Sequence, residues 1–253
     1  MSFSHYGELC TEVYELTKKV GQSLGGDIEY YLETLKDCDG RILEAMVGSG
    51  RVIVPLLESG LTVDGVDYSP AMLHVCRKHC EDRELHVDLY EADLQHVSLP
   101  HLYEAIIIPA GSFLLIEDRD ASISVLENLY DHLEPEGRLI LDLFLPDLSV
   151  NIGDIHTSTF SLPSGDTMTM EEKVVNINLF HQQKTSYLKY EKWRNGKLLQ
   201  TELQRFGLRW YGVEEFVLLL KSIGFSQVHV CANYDSSKKP SHNKETFVFE
   251  AIK

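Results

Sequence analysis

Residues 41–72, RILEAMVGSGRVIVPLLESGLTVDGVDYSPAM, constrain the fold more than any other stretch of this chain. The apolar run at 41–47 reads as a strand and Gly48-Ser49-Gly50 as a turn. Residues 51–59 read as a helix, with Val52, Leu56 and Leu57 at helical spacing, and 62–68 as a second strand ending at Asp67. Parallel strands joined through a helix cross over in the right-handed sense, which carries the glycine turn and Asp67 to one carboxyl edge of a sheet. Open α/β sheets take their ligands at that edge. The segment therefore predicts a nucleotide-binding half-fold and locates its site.

The turn discriminates between ligands. A dinucleotide fingerprint needs a third glycine or alanine, but counting on from Gly48 and Gly50 the third position is Ile53, which disfavours NAD. The chain has instead one acid, Glu44, before the turn and a second, Asp67, at the end of the next strand. An acid before the turn suits a cationic ligand group, and one after it suits paired ribose hydroxyls. In Glu44, Gly48, Gly50 and Asp67 the chain resembles the class I S-adenosylmethionine-dependent methyltransferases, whose donor carries an ammonium, a sulfonium and a ribose. The resemblance extends in order along almost the whole chain. It implies that Tyr68 and Met72 pack around the adenine, that Asp93 accepts from the adenine amino group with Leu94 alongside, and that Pro109-Ala110-Gly111-Ser112 lies beneath the sulfonium. Met46 departs from the pattern, because the family often has glycine there. Arg51 is a candidate for the cofactor carboxylate or for an acid nearby. Each block also has a plainer reading: the glycines suit any tight strand-to-helix turn, Asp93 suits a strand end, and Asp67 could cap the helix beginning near Pro70, although Ser69 before that proline is the better cap.

The fold expected is α/β: a Rossmann-like, seven-stranded, mostly parallel sheet with helices on both faces, plus a small antiparallel β insertion. Residues 103–110 and 138–144 supply the next strands, the second continuously apolar as a central parallel strand should be. A helix at 118–133 and another at 213–223, stopped by Gly224, complete the helical layers, and strands at 227–232 and 246–252 resemble the family's closing antiparallel pair. The sequence divides into an N-terminal helical lid or cap (1–40), a donor-binding domain (41–145 and 210–253) and the insertion (146–209). Within the insertion, residues 173–179 alternate, and 185–193 and 197–208 flank Asn195-Gly196, a strong hairpin signal. A two-residue turn there would pair Trp193 with Leu198, Leu188 with Leu203 and Lys189 with Glu202. Such insertions resemble those of small-molecule N-methyltransferases, and the resemblance implies that they cover the substrate or pair subunits in a homodimer. The N-terminal helix, 6–20, precedes a Gly25-Gly26 hinge and carries Tyr6 and Tyr14, which the resemblance implies contact cofactor and substrate. The alternative is ordinary packing on one helical face.

Charge narrows the acceptor. With 23 Lys and Arg against 39 Asp and Glu, the net charge of −16 repels phosphate backbones, so nucleic acid is not an expected partner. Residues 109–113, PAGSF, also lack the Asn- or Asp-Pro-Pro-aromatic segment of enzymes that methylate base amines. The acceptor expected is a small molecule with a nitrogen or oxygen nucleophile. The competing classes are a methyltransferase of protein or RNA and a noncatalytic or NAD-dependent binding protein. His5, His156 and His181 are the loosely placed candidates for a general base, and no catalytic residue is assigned. No apolar run approaches the length of a membrane span, and five scattered cysteines do not form a disulfide framework, so a cytoplasmic enzyme is expected. His74, Cys76, His79 and Cys80 share an amphipathic helix without a second ligand cluster at zinc-like spacing, and no metal is expected.

Overall fold

A computed structural model describes residues 6–253. Seven strands, β1 (Ile42–Ala45), β2 (Val63–Asp67), β3 (Leu89–Glu91), β4 (Tyr103–Ile108), β5 (Leu133–Leu143), β10 (Gln227–Ala232) and β11 (Phe247–Ile252), form one sheet in the order β10-β11-β5-β4-β1-β2-β3. All neighbours are parallel except β11, which runs antiparallel to both β5 and β10. The strand order reverses between β1 and β4, and that reversal opens the crevice at the carboxyl edge. Strand periodicity sorts the core into two layers. Leu43, Ile106, Leu139 and Leu141 face α5 (Arg119–His132) and α6 (Val213–Ile223); Ile42, Ala105, Ile107 and Ile140 face α2 (Asp27–Leu35), α3 (Ile53–Glu58) and α4 (Pro70–Glu81). By the same alternation Glu44 and Asp142 fall on the α2 side.

Helix ends follow their side chains. Ser69 caps α4 by accepting the Met72 amide at 3.2 Å with Pro70 in the first turn, which decides the cap between Ser69 and Asp67. Asp118 caps α5 by accepting the Ala121 amide at 2.9 Å. The N-terminal helix α1 is shorter than its periodicity predicts, Glu8–Thr17, and α2 was not foreseen. It starts directly after Gly25 and Gly26, whose φ angles of 69° and 98° turn the chain back toward the sheet.

The insertion is a four-stranded antiparallel meander of β6 (Ile155–Ser161), β7 (Thr167–Asn178), β8 (Gln183–Arg194) and β9 (Lys197–Arg209). β6 has no apolar alternation to announce it, and its residues are mostly exposed. The Asn195-Gly196 turn and the Trp193–Leu198 pair form as expected, but the remaining pairs shift by one residue. A bulge opposes Lys192 to Gln200, so Leu188 faces Gln204, Lys189 faces Leu203 and Tyr190 faces Glu202. The extra residue, Leu199, moves Gln204 rather than Leu203 into register with the buried Leu188. Leu188, Tyr190 and Met168 then pack against Leu9, Cys10 and Val13 of α1, so the helix is seated on the inserted sheet.

Candidate active site at the carboxyl edge

The glycine turn bends by three left-handed residues, Met46 (φ 60°), Gly48 (φ 57°) and Gly50 (φ 94°). Met46 thus occupies a backbone conformation that favours glycine, the residue the family resemblance leads one to expect there. At Gly50 a side chain is also excluded by contact, because a Cβ would lie 2.9 Å from the Cys76 sulfur of α4. Asp67 closes the turn from the neighbouring strand. Its Oδ2 accepts the Gly48 amide and its Oδ1 the Ser69 amide, both at 2.8 Å. Burial raises the Asp67 carboxyl above its ordinary range while these backbone donors oppose the shift.

Above the turn lies a cavity of about 640 Å³ between the sheet edge, α1 and β9. Seven of the eleven proposed cofactor residues line it: Tyr14, Gly48, Asp67, Tyr68, Met72, Asp93 and Leu94. Met72 and Leu94 are buried, whereas Tyr68 is 66% exposed at the rim. Glu44, Gly50, Arg51 and Pro109 are not on the cavity wall. Glu44 is buried behind the turn, and one of its carboxylate oxygens, Oε2, has no hydrogen-bond partner. Burial drives its carboxyl well above the usual carboxylate range, partly offset by Arg51.

Arg51 reaches an acid and is spent on it. Its guanidinium pairs with Asp27 of α2 at 2.5 Å and donates to the Gln22 carbonyl at 2.8 Å, and both charged side chains are almost wholly buried. The cation that does line the cavity is Lys18, just past α1. Its ammonium stands 4.9 Å from the centroid of the Tyr14 ring, and burial, then the charge of Arg51, lowers its pKa. Its spacing of four from Tyr14 was the available signal, since residues so spaced share a helical face.

Pro109 is replaced on the wall by its successors Ala110, Gly111 and Ser112. Their backbone is held by Asp142 of β5, which accepts the Ala110 amide at 2.8 Å and the Gly111 amide at 2.7 Å. Asp142 was missed, although a lone acid inside the run LILDLFL was visible. The far end of the cavity is apolar, with Ile116, Phe144, Phe206 and Leu208 contributed by the β4–α5 connection, the end of β5, and β9. Tyr6 closes it, and the Ser69 hydroxyl donates to the Tyr6 carbonyl at 2.7 Å.

Of the candidate bases, His156 and His181 sit exposed on the insertion and off the cavity wall, and His5 lies outside the described residues. Cys76 and Cys80 are buried in the α4 core. The one cluster with ligand-like spacing among the described residues is Asp64, Asp88 and His101, where Asp64 is already engaged by Arg41 at 2.9 Å and by Tyr103 at 3.1 Å. No helix among the described residues is long and apolar enough to cross a membrane.

Residues 42–137 match the family described as a methyltransferase domain. The cypemycin N-terminal methyltransferase of a Streptomyces species is 26% identical over 171 residues, covering 67% of this chain and 69% of that one. Among solved structures, a sugar N-methyltransferase from a Streptoalloteichus species superposes with a TM-score of 0.73 at 18% identity, covering 100% of this chain and 97% of that one. The CcbJ methyltransferase from Streptomyces caelestis gives 0.74 at 18% identity, with 99% and 98% covered. These likenesses extend over the inserted sheet as well as the parallel core: residues 42–137 match a methyltransferase domain, and the chain as a whole has the fold of the class I S-adenosylmethionine-dependent methyltransferases.

Proposed function

We propose that the enzyme methylates a small-molecule acceptor at a nitrogen or oxygen nucleophile by in-line displacement. One observation carries this reading: one cavity brings together acids and a glycine turn with an apolar, partly aromatic wall. When bound, S-adenosylmethionine supplies an electrophilic methyl group on a sulfonium whose departure leaves a neutral thioether.

At the donor end the oxygens of Asp67 keep lone pairs beyond those used by the Gly48 and Ser69 amides, and these would receive ribose hydroxyls. Asp93, Leu94, Met72 and Tyr68 would frame the adenine. The unpartnered oxygen of Glu44 stands behind the turn as a buried acceptor on the side of the ammonium region, and Lys18 is the cation facing a carboxylate. At the other end Phe144, Phe206 and Leu208 would hold the acceptor and exclude water. Alignment at near-attack distance can supply about 7–11 kcal/mol, so this chemistry needs no protein nucleophile. The division into a cap (1–40), a donor-binding part (41–145 and 210–253) and a cover (146–209) follows from the same reading. Support for a nitrogen acceptor comes from the sugar enzyme, whose name states N-methylation.

The test is incubation with methyl-labelled S-adenosylmethionine against a panel of amines, hydroxylated metabolites and amino sugars. Label should pass to a small molecule, and transfer only to protein or RNA would overturn the proposal. Asp67→Ala should raise the calorimetric Kd for the donor about 10- to 100-fold, the loss expected from removing a charged hydrogen-bond acceptor. An unchanged Kd would remove Asp67 from the site.

A further inference from the structure

Asp142 has more partners than a structural acid at the end of a strand requires. Besides the Ala110 and Gly111 amides, it receives the Tyr31 hydroxyl of α2 at 3.3 Å and the Tyr234 hydroxyl from the segment after β10. The two amides belong to residues in the left-handed region, Ala110 at φ 60° and Gly111 at φ 66°. For alanine that backbone is unfavourable by about 1–2 kcal/mol, so something must hold it. The Phe144 ring, two residues beyond Asp142, occupies the place a Cβ on Gly111 would take. Asp142 thus clamps from behind a loop whose front, Ala110 to Ser112, is cavity wall.

We propose that Asp142 is a positioning residue for methyl transfer: its carboxylate fixes the Ala110–Gly111 backbone, and the cavity's hold on its ligand follows the charge on this group. The inference rests on the donor occupying this cavity. As a carboxylate Asp142 accepts both amides at once. Once protonated, Asp142 can turn its hydrogen to a tyrosine hydroxyl, both amide bonds lose the charge that strengthens them, and the restraint on the left-handed pair weakens. The groups around it are Tyr31 and Asp27 of α2 and Tyr234, with Arg51 acting on Tyr234. Burial pushes the Asp142 carboxyl up to about 6, against the two amides and Tyr234, which pull it down, while the charge of Asp27 raises it. The switch therefore falls within a pH range where the enzyme can be studied.

The experiment uses the full chain. S-adenosylmethionine binding is measured calorimetrically from pH 5 to 8, and the Ala110 and Gly111 amide resonances are followed in 15N-labelled protein over the same range. Affinity should fall about tenfold on acidification, the worth of one charged hydrogen bond at the low end, with a midpoint near 6. Both amides should titrate with that midpoint. Tyr234→Phe removes a bond that favours the charged form and should move both midpoints to higher pH; Asp142→Asn should flatten both curves at the weak-binding level. Glu44 and Asp67 are also raised by burial, but Tyr234 is not a partner of either, so an upward shift in Tyr234→Phe identifies Asp142. A folded Tyr234→Phe variant with unmoved midpoints, or a Gly111 amide that does not titrate, overturns the proposal. If wild type binds no donor at any pH, the donor site itself is refuted, and the amide titration still decides whether Asp142 governs the loop.

Discussion

Three buried charges near the glycine turn differ in how they are balanced, and the differences are measurable. Arg51 and Asp27 neutralise each other out of water, 3% and 0% exposed. Removing one partner strands the other, so Arg51→Met should destabilise the chain by about 3–5 kcal/mol in urea titration. The double variant with Asp27→Leu should recover most of that loss, because a desolvated pair contributes little net stability over apolar side chains. A double variant as unstable as the single one would mean that the bonds Asp27 accepts from the Leu24 and Ile28 amides, at 2.7 and 2.8 Å, matter more than its pairing with Arg51. Asp142 is balanced by hydrogen bonds alone, and its folded carboxyl is pushed up from the ordinary 3.8 to about 6. Between those values the native state binds a proton that the unfolded chain has released, so this group's contribution to stability falls as pH rises through the window. Relative to Asp142→Asn, wild type should gain up to about 3 kcal/mol on going from pH 7 to pH 4. Parallel urea curves for the two proteins at both pH values check the sign; a constant difference would place the Asp142 pKa near its unfolded value.

At the scale of elements, Gly48 and Gly50 look alike in the sequence and differ in what surrounds them. Both have positive φ, but a Cβ at Gly48 meets open space, whereas at Gly50 it meets the Cys76 sulfur where the turn approaches α4. Gly48→Ala should therefore cost about 1 kcal/mol from backbone strain, and Gly50→Ala about 2–4 kcal/mol from strain and overpacking together. Adding Cys76→Ala to Gly50→Ala should relieve the steric share, which thermal unfolding of the three proteins would read. This contrast marks the boundary of what the sequence made legible. Periodicity located β1, β2, β4, α5, α6 and the closing antiparallel pair, because each buries one face or both. It failed for β6, whose side chains are mostly exposed, and for α2, whose buried Asp27, Tyr30 and Tyr31 carry polar atoms that disguise an apolar face. The β8–β9 register slipped because a bulge at Leu199 leaves no local signature. At the site, Gly48 and Asp67, which touch the cavity through a turn and a strand end, could be picked from the strand, turn and helix pattern, and Asp93 only through the family resemblance. Asp142 and Lys18 left only weak signals, a lone acid in an apolar run and a spacing of four from Tyr14, because what each does depends on contacts between parts of the chain distant in sequence.

For the molecule as a whole, the decisive relation is between the parallel sheet, which supplies the floor of the cavity, and the inserted sheet, which supplies its roof through α1. The helix is not packed on the donor-binding part alone. Its first turn is held by Glu202 of β9, which accepts the Leu9 amide at 3.0 Å, and its length by Lys192 of β8, which pairs with Glu12 at 2.9 Å. On its other flank Glu15 meets His79 of α4 at 2.5 Å. Tyr14 and Lys18 reach inward from this bridge to the cavity, and Tyr6 stands between it and an open outer groove lined by Glu8, Glu12 and His74. Such an arrangement couples ligand binding to the order of α1: a molecule touching Tyr14 and Lys18 from inside adds contacts that exist only while the helix is seated. Binding that favours the seated state must stabilise it by the difference in affinity between seated and unseated forms. Amide hydrogen exchange of residues 8–17 should therefore slow when S-adenosylmethionine is added, about tenfold for each 1.4 kcal/mol of that difference. Glu202→Ala, which frees the first turn without touching the cavity wall, should speed exchange of α1 in the free protein and weaken the donor by the same factor. Faster exchange with unchanged affinity would show that the donor binds without the helix, leaving α1 as support for the inserted sheet alone.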